Sequence, residues 1–259
     1  MVSIGITRVT LKNYKMKIGN FFKNSIRFVL NRFNLRIHHV PKNKITGFNL
    51  GEDLQKIITQ TSPVCLDVGA NIGQTIKLFE TIFESPLIYS FEPSKKIFEK
   101  LKAGFSSPQT RLYNYALGKE ITRKEFINYE QSTMSSFLEL SSSDENRFRN
   151  MQVIDREEVE VKTVDWFLEQ ENISSVDILK IDTQGFDIEV LRGAIHSFEK
   201  GIIRNVIIEI NFIQMYNGQG TAQDISQFLA DYGLHLVDYY EKARKGKTLA
   251  WASALFGKR

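Results

Sequence analysis

The stretch 178-ILKIDTQGFDIEVLRGA-194 carries an apolar run into an acid, Asp182, places a glycine three residues later, and then turns to residues of helical period. A short apolar run bounded by a turn reads as a strand buried on both faces. A strand passing through a glycine turn into a helix is half of the unit from which parallel α/β sheets are built. The acid at the tip needs a separate explanation. A carboxylate is costly to bury alone, so whatever meets Asp182 bears on what the chain does.

Working outward, strand-like runs alternate with helical patterns from residue 63 onward. Upstream, "PVCLDVG" (63–69) reads as a buried strand ending at Asp67, with a helix to follow over Gln74 to Phe83. "LIYSFEP" (87–93) reads as a second strand ending near Glu92, and Ser94 is placed to cap the helix beginning "KKIFEKLKAGF". "RLYNYAL" (111–117) reads as a third strand. Residues 119–162 then interrupt the alternation: two period-2 pieces, "KEFINYE" and "EEVEVKTV", enclose the Ser-rich "STMSSFLELSSSDENRF". This pattern predicts a hairpin-like excursion whose mobile loop serves as a lid.

The alternation resumes with the helix "VDWFLEQE", the strand ending at Asp182 and a helix after Gly185, then the strand "NVIIEIN" and the helix "AQDISQFLADYG", stopped by Gly233. Two closing strands, "LHLVDYY" and "LAWASALFGK", joined by the turn-like "EKARKGKT", fit an antiparallel pair at one edge. The order implies an α/β fold with a largely parallel sheet and helices on both faces.

Hydrophobic residues make up 42% and charged residues 25% of the 259, the balance of a globular protein. One cysteine, Cys65, excludes an internal disulfide and a cysteine-rich metal site, lies in an apolar run as a core thiol would, and points to a reducing compartment, the cytoplasm. The net charge of +4 is unevenly spread. Residues 1–51 hold ten Lys or Arg and no acid, leaving 24 basic against 30 acidic residues in the remainder. The main domain is therefore mildly acidic, and nucleic acid is not expected as a partner.

Residues 1–55 are read as a basic helical segment preceding the domain at 56–259. Leu11, Tyr14, Ile18, Phe21, Phe22, Ile26, Val29 and Phe33 recur at helical spacing, with Lys12, Lys15, Lys23 and Arg27 largely off that stripe. Such a helix packs on the domain or lies on an anionic membrane leaflet, which would add peripheral contact at the inner face of the membrane. No run is long enough to span a bilayer.

Ligands of such sheets bind beyond the carboxyl ends of the strands. Asp67, Glu92, Asn114, Asp182, Glu209 and Asn211 are expected there. In "DVGANIGQT", Gly69 and Gly73 allow a tight turn and close approach of a ligand to the backbone. Their G-x-x-x-G spacing, and the acid two residues before Gly69, differ from a dinucleotide turn; Asp67 facing a ligand suits a cationic or amino-bearing group and disfavours a pyrophosphate. Glu92, 23 residues beyond Gly69, stands where an acid binds the two hydroxyls of an adenosine ribose. Asn114 and Ala116 are placed to flank an adenine. Asp182 also suits a cap on the helix after Gly185. Glu209 and Asn211 could share base duty, bind substrate or join Asp182 around a divalent metal, although no further acid is placed to complete such a shell and no metal is expected. No histidine falls at a strand tip.

"LDVGANIGQT", "SFEPS", "NYALG", "LKIDTQGFDIEVLRGA" and "IIEINF" occur in this order and at a spacing that closely resembles the FkbM-type family of S-adenosylmethionine-dependent methyltransferases, from about residue 64 to the C-terminus. The resemblance implies a seven-stranded Rossmann-like sheet with a reversed C-terminal hairpin, and O-methyl transfer to a hydroxyl of a sugar or a polyketide. It implies S-adenosyl-L-methionine as cofactor and S-adenosyl-L-homocysteine as product. Carried onto this chain, Asp67, Gly69, Ala70, Asn71, Gly73, Gln74, Glu92, Pro93, Asn114, Ala116 and Asp182 would hold the cofactor. Asp182, with Glu209, would orient or deprotonate an acceptor, a small molecule or a glycan. A sugar hydroxyl of a glycan or glycolipid is the leading expectation, and a natural-product (polyketide) O-methyltransferase, a nicotinamide-dependent oxidoreductase and a non-catalytic scaffold are the alternatives. The loops at Gln131 to Phe137 and Met215 to Gly220 are read as closing over substrate.

Overall fold

The structure is a computed structural model that describes Arg32, residues 44–143 and residues 145–258. The chain divides into two compact units, Met1–Lys42 and Asn43–Arg259, and the second is the one described below. The amphipathic stripe from Leu11 to Phe33, with its expected membrane contact, lies outside the described residues.

Seven strands form the main sheet: β1 (Val64–Val68), β2 (Leu87–Phe91), β3 (Thr110–Tyr113), β7 (Ile178–Ile181), β8 (Asn205–Asn211), β9 (Leu234–Lys245) and β10 (Thr248–Lys258), in the order β3-β2-β1-β7-β8-β10-β9. The first five in that order are mutually parallel, and β10 runs antiparallel to both β8 and β9. This is the mostly parallel sheet with a reversed C-terminal hairpin. β10 is the inserted, reversed strand, and β9 takes the edge.

Alternation along β1 sorts the core. Leu66 and Val68 join residues of α4 (Val164–Gln170), α5 (Asp187–Arg192), α6 (Ile195–Glu199) and α7 (Ala222–Asp231) on one face. Cys65 joins residues of α1 (Leu50–Ile57), α2 (Gln74–Ile82) and α3 (Lys95–Gly104) on the other. Helices thus cover both faces, and side chains of each strand must alternate between two apolar layers. The Cys65 thiol is buried, and burial pushes its pKa up, with Asp177 and Asp67 adding to the rise. α1 straddles residues 55 and 56, where the domain boundary was expected, and packs Leu54 into the α2 side of the core. Among the described residues no helix is long and apolar enough to cross a membrane.

Local expectations differ from the structure at four points. "RLYNYAL" is not one strand: β3 stops at Tyr113, and β4 (Ala116–Leu117) pairs instead with β6 (Val153–Lys162) in a second sheet of order β4-β6-β5, where β5 is Thr122–Tyr129. The helix after Gly185 is two, α5 and α6, broken at Gly193, where a Cβ would lie 2.0 Å from the Gly118 carbonyl oxygen. The close crossing of the two backbones leaves no room for a side chain. The closing turn is only Gly246-Lys247, because "EKAR" continues β9. Ser94 occupies the N-cap of α3 without a side-chain cap bond; its backbone N–H donates to Glu92 Oε1 at 2.9 Å.

Candidate active site

The tips of β1 and β7 meet backbone to backbone. Asp182 donates its N–H to the Val68 carbonyl at 2.9 Å. Gly69 has φ +84°, and a Cβ there would lie 2.0 Å from the Asp182 carbonyl oxygen. Gly69 is therefore required first by its contact with the neighbouring strand end, and the ligand approach expected of it shares that cause. Gly73, at φ +88°, faces the Phe105 ring in the same way, with a would-be Cβ 2.1 Å from a ring carbon. Between them Asn71 takes φ +47° and donates its N–H to Glu92 Oε2 at 2.9 Å.

Asp67, Lys180 and Asp182 follow one another on the α2 face. Asp67 is fully buried, and the Lys180 ammonium lies 3.4 Å from Asp67 Oδ1 and 3.4 Å from Asp182 Oδ2. Burial opposes the charge on Lys180, yet Asp182 and Asp67 together hold its pKa above the ordinary lysine value. Burial drives the Asp67 pKa up, and Lys180 opposes that rise. The cation that Asp67 was expected to find in a ligand is supplied by the chain itself. Only tertiary pairing reveals this, although a lysine inside the apolar run 178–181 was the available signal.

Asp182 keeps about a third of its side chain exposed, at 34%. Its Oδ1 accepts from Gln184 Nε2 at 2.6 Å. The same Gln184 nitrogen reaches Glu209 Oε1 at 3.4 Å, and Gln184 Oε1 accepts from the Tyr216 hydroxyl at 2.9 Å. Gln184 stands at φ +54°, an uncommon conformation for a residue with a side chain. Burial pushes the Glu209 pKa well up, and the charges of Asp182 and Asp187 add to it. Asp182 does not cap the helix that follows, whose N-cap position is Phe186 and carries no side-chain cap bond; Asp187, its first residue, instead braces the turn before it, accepting from Thr183 N at 2.9 Å and Gly185 N at 3.0 Å.

A cavity of about 360 Å³ opens over these strand ends. Gly69, Ala70, Asn71, Gln74, Glu92, Pro93, Ala116 and Asp182 line it, together with Lys180, Ser94 and Gln184. Four of the residues expected to hold the cofactor or act on the acceptor are not on its wall, and Gly73, set against the Phe105 ring, is one of them. Asp67 lies beneath it. Asn114 turns away and donates to the Glu92 and Pro93 carbonyls at 2.9 and 3.1 Å, bracing their loop. Glu209 connects to Asp182 through Gln184. The 131–137 loop does line the cavity, through Ser132, Thr133, Ser135 and Phe137, and is fastened there by Asn71 Nδ2 to Ser132 Oγ (3.3 Å) and Ser136 Oγ to the Gln184 carbonyl (2.7 Å). The 215–220 loop contributes no wall to this cavity. Its Tyr216 is fully buried and supports Gln184 from below.

The wall suits an adenosine-bearing cofactor. Glu92 is buried, with one backbone amide on each oxygen, so its remaining lone pairs are aimed and free for two ribose hydroxyls. Ser94 Oγ is buried on the same wall without a hydrogen-bond partner, a group that a ligand would satisfy. Ala116, Phe126 and Phe137 supply an apolar side for a base.

A model of the methyltransferase FkbM domain matches residues 67–236, well over half of the chain. The chain is 20% identical over 241 residues to the 2-O-methyltransferase NoeI of Sinorhizobium fredii, covering 90% of this chain and 98% of that protein. It is 27% identical over 158 residues to Methyltransferase 1 of Beauveria bassiana, covering 56% of this chain and 63% of that one. Among solved structures it is similar to the magnesium protoporphyrin IX methyltransferase of Synechocystis PCC 6803, with a TM-score of 0.42 at 12% identity over 92% of this chain and 94% of the other. The chain belongs to the FkbM methyltransferase family and is an S-adenosylmethionine-dependent methyltransferase. The family match, rather than Asp67, decides against a nicotinamide enzyme.

Proposed function

We propose that this FkbM methyltransferase methylates a hydroxyl of a sugar, in a glycan or glycolipid, with Asp182 orienting that hydroxyl and accepting its proton. The observation that carries the reading is the state of Asp182: part-exposed on the cavity wall, yet fixed on both oxygens by Gln184 and Lys180. A carboxylate held in this way has its direction set before an acceptor arrives, and positioning accounts for much of the rate of a displacement. S-adenosylmethionine, when bound, supplies a methyl group on a positively charged sulfur. Toward it the chain contributes Glu92 for the ribose, the Gly69–Ala70 backbone and Asn71 at the turn, and Ala116 beside the base. Lys180 pairs with both aspartates, so that Asp67 is not left as an uncompensated buried charge. Glu209 acts at one remove, through Gln184. The name of the NoeI relative, a 2-O-methyltransferase, favours oxygen as the atom methylated.

The test is calorimetric titration with S-adenosylhomocysteine, with NADH in parallel, followed by transfer of labelled methyl from S-adenosylmethionine to neutral methyl glycosides and to phenolic polyketides. Binding of S-adenosylhomocysteine and not NADH, with label on the glycosides, is expected. Label on the phenols only would overturn the sugar assignment while leaving the enzyme class intact.

A further inference from the structure

The cavity does not end at the cofactor wall. Its far side is formed by Leu50, Thr75 and Leu78 opposite Ile207, Ser253 and Glu241. This lobe combines the apolar Leu50, Leu78 and Ile207 with a polar pair in which Glu241 Oε2 accepts from Ser253 Oγ at 2.8 Å. Strand register places the pair. Ser253 of β10 sits opposite Glu209 of β8, itself tied to Asp182 through Gln184, so a polar row runs along the strand ends from Asp182 to Glu241.

Glu241 reaches this row only because β9 is irregular. Trp251 and Ser253 pair with Ala243 and Tyr240, so two residues, Glu241 and Lys242, stand opposite Ala252 alone. That is a β-bulge, a device that re-aims a side chain. Both residues also lie beyond residue 236, where the family match ends. Membership of the family thus assigns them nothing.

We infer that the Glu241–Ser253 pair is the acceptor-recognition end of the cavity, taking a second hydroxyl of a neutral polyhydroxylated acceptor while the first lies at Asp182. This rests on the proposed sugar reading and deepens it. A carboxylate accepts from a hydroxyl and repels a second carboxylate or a phosphate, so the lobe disfavours anionic acceptors. The Leu50 and Leu78 wall suits the C–H face of a sugar ring. Ser253 is a positioning residue, holding the Glu241 carboxylate toward the lumen.

The experiment compares methyl glucoside and methyl glucuronide as acceptors for the wild-type chain, Glu241→Gln and Ser253→Ala. The expected result is turnover of the neutral glycoside at least tenfold above the glucuronide in kcat/KM. Glu241→Gln is expected to raise KM about tenfold, to narrow the gap to the glucuronide, and to leave S-adenosylhomocysteine affinity unchanged. Glu241→Gly, which suits the +48° φ at that position, guards against a folding artefact: it should keep the melting temperature and show the same KM rise. An unchanged KM in both Glu241 variants, or equal use of the glucuronide, overturns the inference. Should the wild type turn over no glycoside, the sugar reading fails separately, and direct binding to the protein loaded with S-adenosylhomocysteine decides the lobe. Glu241-dependent binding of the neutral glycoside keeps it, and no binding removes it.

Discussion

The two strands that flank β1 both end in carboxylates, and the chain treats them in opposite ways. Asp182, after β7, meets an ammonium and a side-chain amide and stays partly open to the cavity. Glu92, after β2, is nearly sealed and meets only two backbone amides; burial outweighs them and pushes its pKa up to about 7. Backbone dipoles orient a carboxylate without neutralising it, whereas a buried cation does both. Asp182 is thereby suited to act as an anion during turnover. Glu92 is suited to gain its remaining hydrogen-bond donors from a ligand.

Four changes test this contrast. The largest effect is expected from Lys180→Met, which strips Asp182 of its cation and leaves Asp67 buried and unpaired. Breaking a buried pair in this way costs about 3–5 kcal/mol, and denaturant unfolding should show it. Adding Asp67→Asn should recover part of the loss; no recovery would mean that Lys180 serves Asp182 alone. Asp182→Asn should lower kcat by about a hundredfold with cofactor affinity kept, and near-wild-type turnover in that variant would remove Asp182 as the proton acceptor.

The third test is of pH. The raised Glu92 pKa means that its neutral form is favoured in the folded chain. Its contribution to stability is therefore full below the ordinary glutamate value of 4.5 and is lost as pH rises through about 7. Ribose hydroxyls donate to the ionised form, so S-adenosylhomocysteine affinity should rise about tenfold from pH 6 to pH 8, with proton release seen by calorimetry in buffers of different ionisation enthalpy. Glu92→Gln should weaken binding and flatten that dependence; a pH slope that persists would assign it to another group. The smallest effect is expected from Tyr216→Phe, which removes the hydroxyl that Gln184 Oε1 shares with the Met134 carbonyl. A stability loss of about 1 kcal/mol and a several-fold lower kcat would show that Gln184 needs support from below.

The strand tips, the glycine turn, the order of the elements and a closing antiparallel pair were legible in the sequence because each is written in local period and spacing, whereas the reversed hairpin of a seven-stranded sheet followed from the family resemblance. Asp182 and Glu92 were legible for the same reason: a charge at the end of an apolar run stands out. What each acid faces was not legible. Asp67 looked ligand-facing until β1 and β7 paired in a register that sets it beside Lys180, and Asn114 looked like a wall residue until β3 ended one step before it. The meeting of Gln184 with Tyr216, a residue read only as part of a loop over substrate, was missed, because a glutamine at positive φ and a tyrosine 32 residues away carry no local mark of it. Glu241 owes its direction to a bulge, which depends on how two strands align and not on either alone. Local sequence determined which residues end the strands. Only the packed sheet decided their partners, since pairing at a few ångströms is set by register between segments far apart in the chain.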